Sequence, residues 1–164
     1  MPKVALVMGS KSDWQSLKGC VDVLHGMEIE VEVHVASAHR TPEKVASFAA
    51  NARENGFEVI IAAAGKAAHL AGVIAGHTTL PVIGIPVKSS FMDGLDSLLS
   101  TVQMPTGIPV ATVAVGGGDN AAYLAAQSLS FKYPILTEKL LAHREKMAHA
   151  IEEDDRQIAK ECAD

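Results

Sequence analysis

Aromatic residues are scarce in this chain: four Phe, two Tyr and one Trp make up 4% of its 164 residues. Hydrophobic residues nevertheless reach 48%, against 20% charged, a balance that excludes a disordered protein. Ala, Val, Ile and Leu must therefore build the interior. A chain of this length is expected to form a single domain over 1–164 with a core of normal size.

Cysteines and long apolar runs are also lacking. With only Cys20 and Cys162 present, a disulfide framework is not expected, and no C-x-x-C pair indicates a metal or redox site. No apolar run approaches the length of a membrane span, and no charged segment followed by an apolar one opens the chain. We therefore expect a cytoplasmic protein with no membrane partner.

Positive charge is not in surplus either. The formal net charge is −5, and the Lys and Arg residues are scattered along the chain. Because surfaces that bind nucleic acid are usually basic, no nucleic-acid partner is expected. The histidines show no ligand-like spacing with Asp, Glu or Cys, so no metal is expected.

Short apolar runs alternate with helical patterns along the chain. The predicted strands cover 4–8, 29–35, 59–64, 81–86 and 109–115. The predicted helices cover 14–26, 42–55, 67–76, 93–104 and 120–132. This alternation indicates a parallel α/β sheet with helices on both faces. Five strands favour the order 2-1-3-4-5, with a ligand crevice at the carboxyl ends of strands 1 and 3.

The pattern changes after Pro134. A narrow apolar stripe, with separations of 4, 7, 4 and 7 residues, is formed by Leu136, Leu140, Met147, Ile151 and Ile158. Such a stripe is typical of a helix–helix seam rather than of a broad core face. We therefore expect 3–132 to form the α/β core and a C-terminal helix over 134–160 to pack against another subunit of a homo-oligomer.

The first of three polar loops, 9–13 (GSKSD), joins a predicted strand to a helix start. Its backbone N–H groups and the hydroxyls of Ser10 and Ser12 are placed to bind an anion. Asp13 either caps the helix or accepts hydrogen bonds from a ribose diol. The loop is neither a Walker loop nor a GxGxxG fingerprint, so nucleoside triphosphates and dinucleotides are not indicated.

The second loop, 37–42 (SAHRTP), places His39 beside Arg40 at the start of a helix whose expected cap is Thr41. Arginine can hold a phosphate through two parallel hydrogen bonds, and histidine can donate or accept a proton near neutral pH. The alternative is a surface arginine beside a histidine that caps a turn. The neighbouring Ser37 favours the functional interpretation.

The third loop, 65–70 (GKAAHL), follows the most apolar predicted strand. Its small residues would let a flat ligand approach the backbone closely. His69 is either a second polar contact for that ligand or a helix-start histidine bonded to a carbonyl. The glycines at 116–118 are better explained as a flexible turn.

Seven segments resemble, in order, the N5-carboxyaminoimidazole ribonucleotide mutase family, the catalytic subunit of bacterial phosphoribosylaminoimidazole carboxylation. They lie at 7–14, 37–42, 67–70, 94–98, 102–105, 107–110 and 120–122. The resemblance implies a flavodoxin-like three-layer α/β/α sandwich. It also implies an isomerase of purine biosynthesis that needs no cofactor, and a homo-octamer with active sites near subunit boundaries.

The same resemblance implies a role for each site residue. Those implied to bind the 5′-phosphate are Ser10, Ser12, Ser37 and Arg40. Those implied to surround the imidazole and its carboxylate are Gly65, His69 and Leu70. Asp13 would bind the ribose hydroxyls, and His39 would be the general acid/base. The implied reaction moves a carboxylate from N5 to C4 of the ribonucleotide through transient CO2.

Two residues depart from the family loop GGAAHLPG: Lys66 replaces the second Gly, and Ala71 replaces the Pro. Related carboxylases that use CO2 directly carry Lys after the His of the second loop, where this chain has Arg40, so the mutase is favoured. A direct carboxylase and a non-catalytic nucleotide sensor on the same fold are the alternatives. The sensor explains the His39–Arg40 pair less well, because sensing needs no titrating group.

Overall fold

The computed structural model, which describes residues 1–163, contains five strands in one parallel sheet. They are β1 (Lys3–Met8), β2 (Glu30–Val35), β3 (Val59–Ala64), β4 (Val82–Pro86) and β5 (Ala111–Thr112). The order is β2-β1-β3-β4-β5, and every neighbouring pair is parallel. The predicted order is confirmed, and the carboxyl ends of β1, β2 and β3 lie side by side.

Helices connect the strands and cover both faces of the sheet. They are α1 (Trp14–Gly26), α2 (Pro42–Asn51), α3 (Leu70–His77), α4 (Leu95–Val102), α5 (Gly118–Ser130) and α6 (Ile135–Glu161). Buried residues of α1, α5 and α6 form one core with the sheet, and those of α2 and α3 form a second core on the opposite face. The three-layer architecture and the long C-terminal helix are confirmed.

The two cores explain why the strand sequences are almost continuously apolar. Along β1, Val4 and Leu6 face the first core, whereas Ala5 and Val7 face the second. Side chains alternate between the faces of a strand, so a strand covered on both faces needs apolar residues at every position. β2 lies at the sheet edge and is only partly buried, which matches its alternation of apolar and charged residues.

Several boundaries differ from the sequence predictions. β5 is much shorter than the predicted strand over 109–115. Beyond Thr112 the chain contacts β4 through isolated backbone hydrogen bonds rather than a continuous strand pairing; for example, the Val113 N–H donates to the Gly84 carbonyl oxygen at 3.1 Å. α3 begins three residues late, after a loop in which Lys66 has φ +56°. α2 ends at Asn51 rather than 55, since turns then lead into β3.

α4 places its polar side against the sheet. Its buried residues are Ser97 and Thr101, whereas Leu99 and Val102 are 47% and 46% exposed. The buried hydroxyls are satisfied, since Ser97 donates to the Val87 carbonyl oxygen at 2.8 Å and Thr101 donates to the Ser97 carbonyl oxygen at 2.7 Å.

The C-terminal helix contacts the rest of the chain along its first part, as far as His143, whose ring stacks on Tyr123 of α5 with centroids 4.4 Å apart. Leu136 is its one fully buried residue among those described, and Lys139 pairs with Glu28 at 3.1 Å. The stripe residues Met147, Ile151 and Ile158 are exposed. None of the described helices combines the length and apolar character that crossing a membrane requires.

Candidate active site

A cavity of about 680 Å³ opens at the carboxyl ends of β1, β2 and β3. The lining includes every site residue selected from the sequence, namely Ser10, Ser12, Asp13, Ser37, His39, Arg40, Gly65, His69 and Leu70. The three loops therefore converge as the strand order predicts. The cavity also includes Val87, Lys88 and Ser89, which follow β4 and were not selected. Their position after a predicted strand at the same sheet edge could have indicated them.

The first loop forms a short 3-10 turn over Lys11–Asp13. The Ser10 hydroxyl accepts hydrogen bonds from the Ser12 backbone N–H at 3.3 Å and from the Ser12 hydroxyl at 2.9 Å. Asp13 precedes α1, but its carboxylate makes no capping hydrogen bond to the helix. Of the two roles considered for Asp13, helix capping is therefore wrong. Burial raises the pKa of the Asp13 carboxyl, and hydrogen bonds and the charge of Arg40 oppose this rise.

Thr41 closes the second loop rather than capping α2. Its Oγ1 accepts from the Ser37 backbone N–H at 2.9 Å and donates to the Ser37 carbonyl oxygen at 3.0 Å. Pro42 starts α2 as predicted, but the expected side-chain cap from Thr41 is absent. The Ser37 hydroxyl in turn accepts from the Arg40 backbone N–H at 3.1 Å. These bonds fix the direction in which the loop presents its side chains.

Arg40 joins the first two loops. Its Nη2 donates to the Gly9 carbonyl oxygen at 2.9 Å, and its Nε lies 3.4 Å from the Ser37 hydroxyl. Because a guanidinium has five N–H donors, several remain available to a ligand in the cavity. The backbone N–H groups and hydroxyls of both loops surround it. This arrangement suits an anion that bridges the ends of β1 and β2.

His39 and His69 contact each other across the cavity. The His39 Nε2 lies 2.8 Å from the His69 Nδ1, and the rings meet edge to face with centroids 5.0 Å apart. His69 therefore has His39, not a carbonyl, as its side-chain partner. In a neutral pair one ring donates the shared N–H and the other accepts it. Such a pair can hold a proton at the cavity and pass it between the two rings.

The third loop supplies the apolar wall. Leu70, at the start of α3, is buried, and Gly65 packs against Val87, whose carbonyl oxygen lies 3.5 Å from where a Cβ on Gly65 would be. Lys66 is exposed at the cavity. Within residues 1–163, no group of three or more His, Cys, Asp or Glu side chains is placed to hold a metal ion.

An open parallel α/β fold, with polar loops and a histidine pair at its switch point, is typical of a protein that binds a small molecule there. A family model described as AIR carboxylase matches residues 3–150, so the chain belongs to that family. The predicted family is confirmed.

Curated relatives and a solved structure agree with this assignment. The chain is 56% identical to the N5-carboxyaminoimidazole ribonucleotide mutase of Pyrococcus abyssi, over 90% of this chain and 84% of that protein. It is 52% identical to the mutase of Saccharolobus solfataricus, over 92% of this chain and 96% of that protein. The crystal structure of Treponema denticola PurE superposes with a TM-score of 0.85 at 29% identity, covering 96% and 98% of the two chains.

Proposed function

We propose that this chain converts N5-carboxyaminoimidazole ribonucleotide (N5-CAIR) to 4-carboxy-5-aminoimidazole ribonucleotide (CAIR) in purine biosynthesis. Its curated relatives carry the name of this mutase. The observation in the structure that supports it best is the 2.8 Å contact between His39 and His69 beside loops that suit an anion. The reaction requires proton transfer on the ring of a nucleotide that is held by its phosphate.

The nucleotide is proposed to bind with its 5′-phosphate at the ends of β1 and β2. The phosphate contacts come from the first two loops, through Ser10, Ser12, Ser37 and Arg40. The Asp13 carboxylate makes no capping bond, so it is free to accept hydrogen bonds from the ribose hydroxyls. The aminoimidazole then lies at the third loop, beside Gly65, His69 and Leu70.

His39 is proposed as the general acid/base. Protonation of the carbamate nitrogen of N5-CAIR breaks the N–CO2 bond and leaves aminoimidazole ribonucleotide (AIR) and CO2. C4 of the electron-rich ring then attacks CO2, and the proton on C4 leaves. One histidine that gives the first proton is ready to take the last, and His69, at 2.8 Å, is placed to hold or relay it.

CO2 offers few polar groups, so it must be retained by enclosure. Leu70 and the small residues at the end of β3 form an apolar wall next to the histidine pair. Holding CO2 and AIR together replaces a dilute encounter with an intramolecular one, for which effective molarities reach roughly 10⁵–10⁸ M. No cofactor is needed for this route.

Product absorbance with two substrates tests the proposal. The purified chain is assayed with N5-CAIR without bicarbonate and with AIR plus excess bicarbonate. Fast conversion of N5-CAIR and weak activity with AIR are expected. The reverse pattern would make the chain a direct carboxylase. Nucleotide binding without turnover would make it a sensor.

A homo-octamer in the cytoplasm is part of the proposal. Exposed apolar side chains on α4 and on the outer part of α6, including Leu99, Val102, Met147, Ile151 and Ile158, support burial against other copies of the chain. Light scattering on the purified protein measures its mass directly. A mass of eight subunits is expected, and a monomer at micromolar concentration would refute the assembly.

A further inference from the structure

Two of the Lys and Arg side chains that line the cavity, Arg40 and Lys66, form no ion pair with a described residue. Arg40 donates to a backbone carbonyl oxygen at 2.9 Å, and Lys88 lies 3.0 Å from an Asp93 carboxylate oxygen. The charge of the Lys66 ammonium is therefore available to a ligand.

The backbone of Lys66 is unusual for a residue with a side chain. Its φ of +56° lies in the left-handed region, which glycine adopts at lower cost. Strained positions of this kind concentrate at binding sites, where the surrounding structure fixes them. A lysine here carries a backbone cost that a glycine avoids, so the side chain is expected to have a use.

The sheet order tells which part of the nucleotide Lys66 faces. Arg40 follows β2 and reaches the loop after β1, so the proposed phosphate site lies on that side. Lys66 follows β3, on the other side of β1, in the same loop as His69. Neighbouring strands are about 4.8 Å apart, so Arg40 and Lys66 leave strands separated by roughly twice that distance. A nucleotide anchored at Arg40 with its ring at the histidine pair therefore directs its far end toward Lys66.

We infer that Lys66 binds the carboxylate of the carboxylated nucleotide and so distinguishes CAIR and N5-CAIR from AIR. This inference rests on the proposed function. The ligand carries a phosphate of charge about −1.5 to −2 and, at its other end, a carboxylate. Arg40 serves the first anion, and Lys66 is the unpaired cation beside the second. Asp13 is the only carboxylate among the described lining residues, and it faces the ribose in this arrangement.

Calorimetric binding of CAIR and AIR distinguishes a contact between Lys66 and the carboxylate from a general contribution of Lys66 to nucleotide binding. The two nucleotides differ only by the carboxylate, so a contact with that group changes the affinity for CAIR alone. Lys66→Met is expected to raise the Kd of CAIR about tenfold and the Kd of AIR less than about twofold. Lys66→Arg keeps the charge and should stay within about threefold of the unsubstituted chain for both ligands.

Two further variants serve as controls. Lys66→Gly removes the charge while relieving the left-handed backbone, so the same selective loss from it excludes a folding defect as the cause. Lys88→Met removes a cavity cation that is already paired, and it should not discriminate between CAIR and AIR. An equal loss for both nucleotides in Lys66→Met, or no loss, overturns the inference while leaving the mutase proposal intact. If the unsubstituted chain binds neither nucleotide, the proposed function fails and this inference fails with it.

Discussion

The His39 side chain offers the sharpest test of the proposed chemistry. His39→Asn keeps a polar side chain of similar size but removes a group that can carry a proton at neutral pH. Arg40 and the hydroxyls of the first two loops are untouched, because their hydrogen bonds do not involve the His39 ring. Nucleotide binding should therefore persist while turnover is lost.

The proposed role of His39 in both proton transfers sets the size of the expected loss. A positioned general acid/base contributes roughly 10²–10⁴-fold, and here one group is asked to serve both proton transfers, so a loss near the upper value is expected. Because the His39 Nε2 lies 2.8 Å from the His69 Nδ1, we expect the two rings to act as a unit. The double variant with His69→Asn should then lose much less than the product of the two single losses.

The assay measures kcat and KM for N5-CAIR by product absorbance, together with the Kd of CAIR by calorimetry. His77→Asn, an exposed histidine at the end of α3 outside the cavity, is the matched control and should behave as the unsubstituted chain. A His39→Asn variant with kcat within about tenfold of normal refutes the acid/base role. If the folded His39→Asn variant no longer bound CAIR, the result would instead show that His39 mainly binds the nucleotide.

Three further substitutions test individual side chains through the hydrogen bonds that they form. Arg40→Ala should raise KM and the Kd of phosphorylated ligands at least tenfold with a smaller effect on kcat, and an unchanged KM would remove Arg40 from the phosphate site. Thr41→Val loses both hydrogen bonds of the hydroxyl, so it should lower the melting temperature and raise KM, whereas Thr41→Ser should preserve both parameters. Burial raises the pKa of Glu58, but hydrogen bonds from Lys132 and Tyr133 outweigh it and leave the pKa below its ordinary value. The stabilisation is thus present above the ordinary pKa and is lost as the pH falls through the lowered one. Glu58→Gln should cost about 1 kcal/mol at pH 7 by thermal unfolding, and the cost should fall as the pH is lowered toward 3. An equal cost at both pH values would contradict this reasoning.

The parts of the fold that the sequence predicts well are those fixed by local pattern. The apolar runs that became β1 and β3 are buried on both faces, which leaves no face for charge and makes them easy to recognise. Alternation with helices then restricts the topology to a few parallel arrangements, and the observed order is one of them. The convergence of the three loops follows from that order, without knowledge of any side-chain contact.

The contacts within the site could not be predicted in the same way. His39 and His69 are 30 residues apart, and their meeting depends on how far each loop extends beyond its strand. The sequence predicts a helix cap at Thr41, because a threonine before a proline is typical of one. Its hydroxyl bonds the Ser37 backbone instead, since the loop turns back on itself. Whether the Thr41 hydroxyl bonds to the start of α2 or to the Ser37 backbone depends on the geometry of the loop, which sequence spacing does not specify.

α4 shows a deeper reason why an apolar pattern need not identify a core. A Cβ on Gly84, in the middle of β4, would overlap the Thr101 Cγ2 and lie 2.9 Å from the Val110 Cγ1, so the helix packs closer to this strand than a larger residue would permit. Only small side chains fit at such a distance, and Ser97 and Thr101 can fill it because their hydroxyls bond to backbone carbonyl oxygens of α4 and the preceding segment. The larger Leu99 and Val102 are thereby turned outward. Their exposure follows from how closely α4 approaches the sheet, and in the proposed oligomer another copy of the chain would bury them.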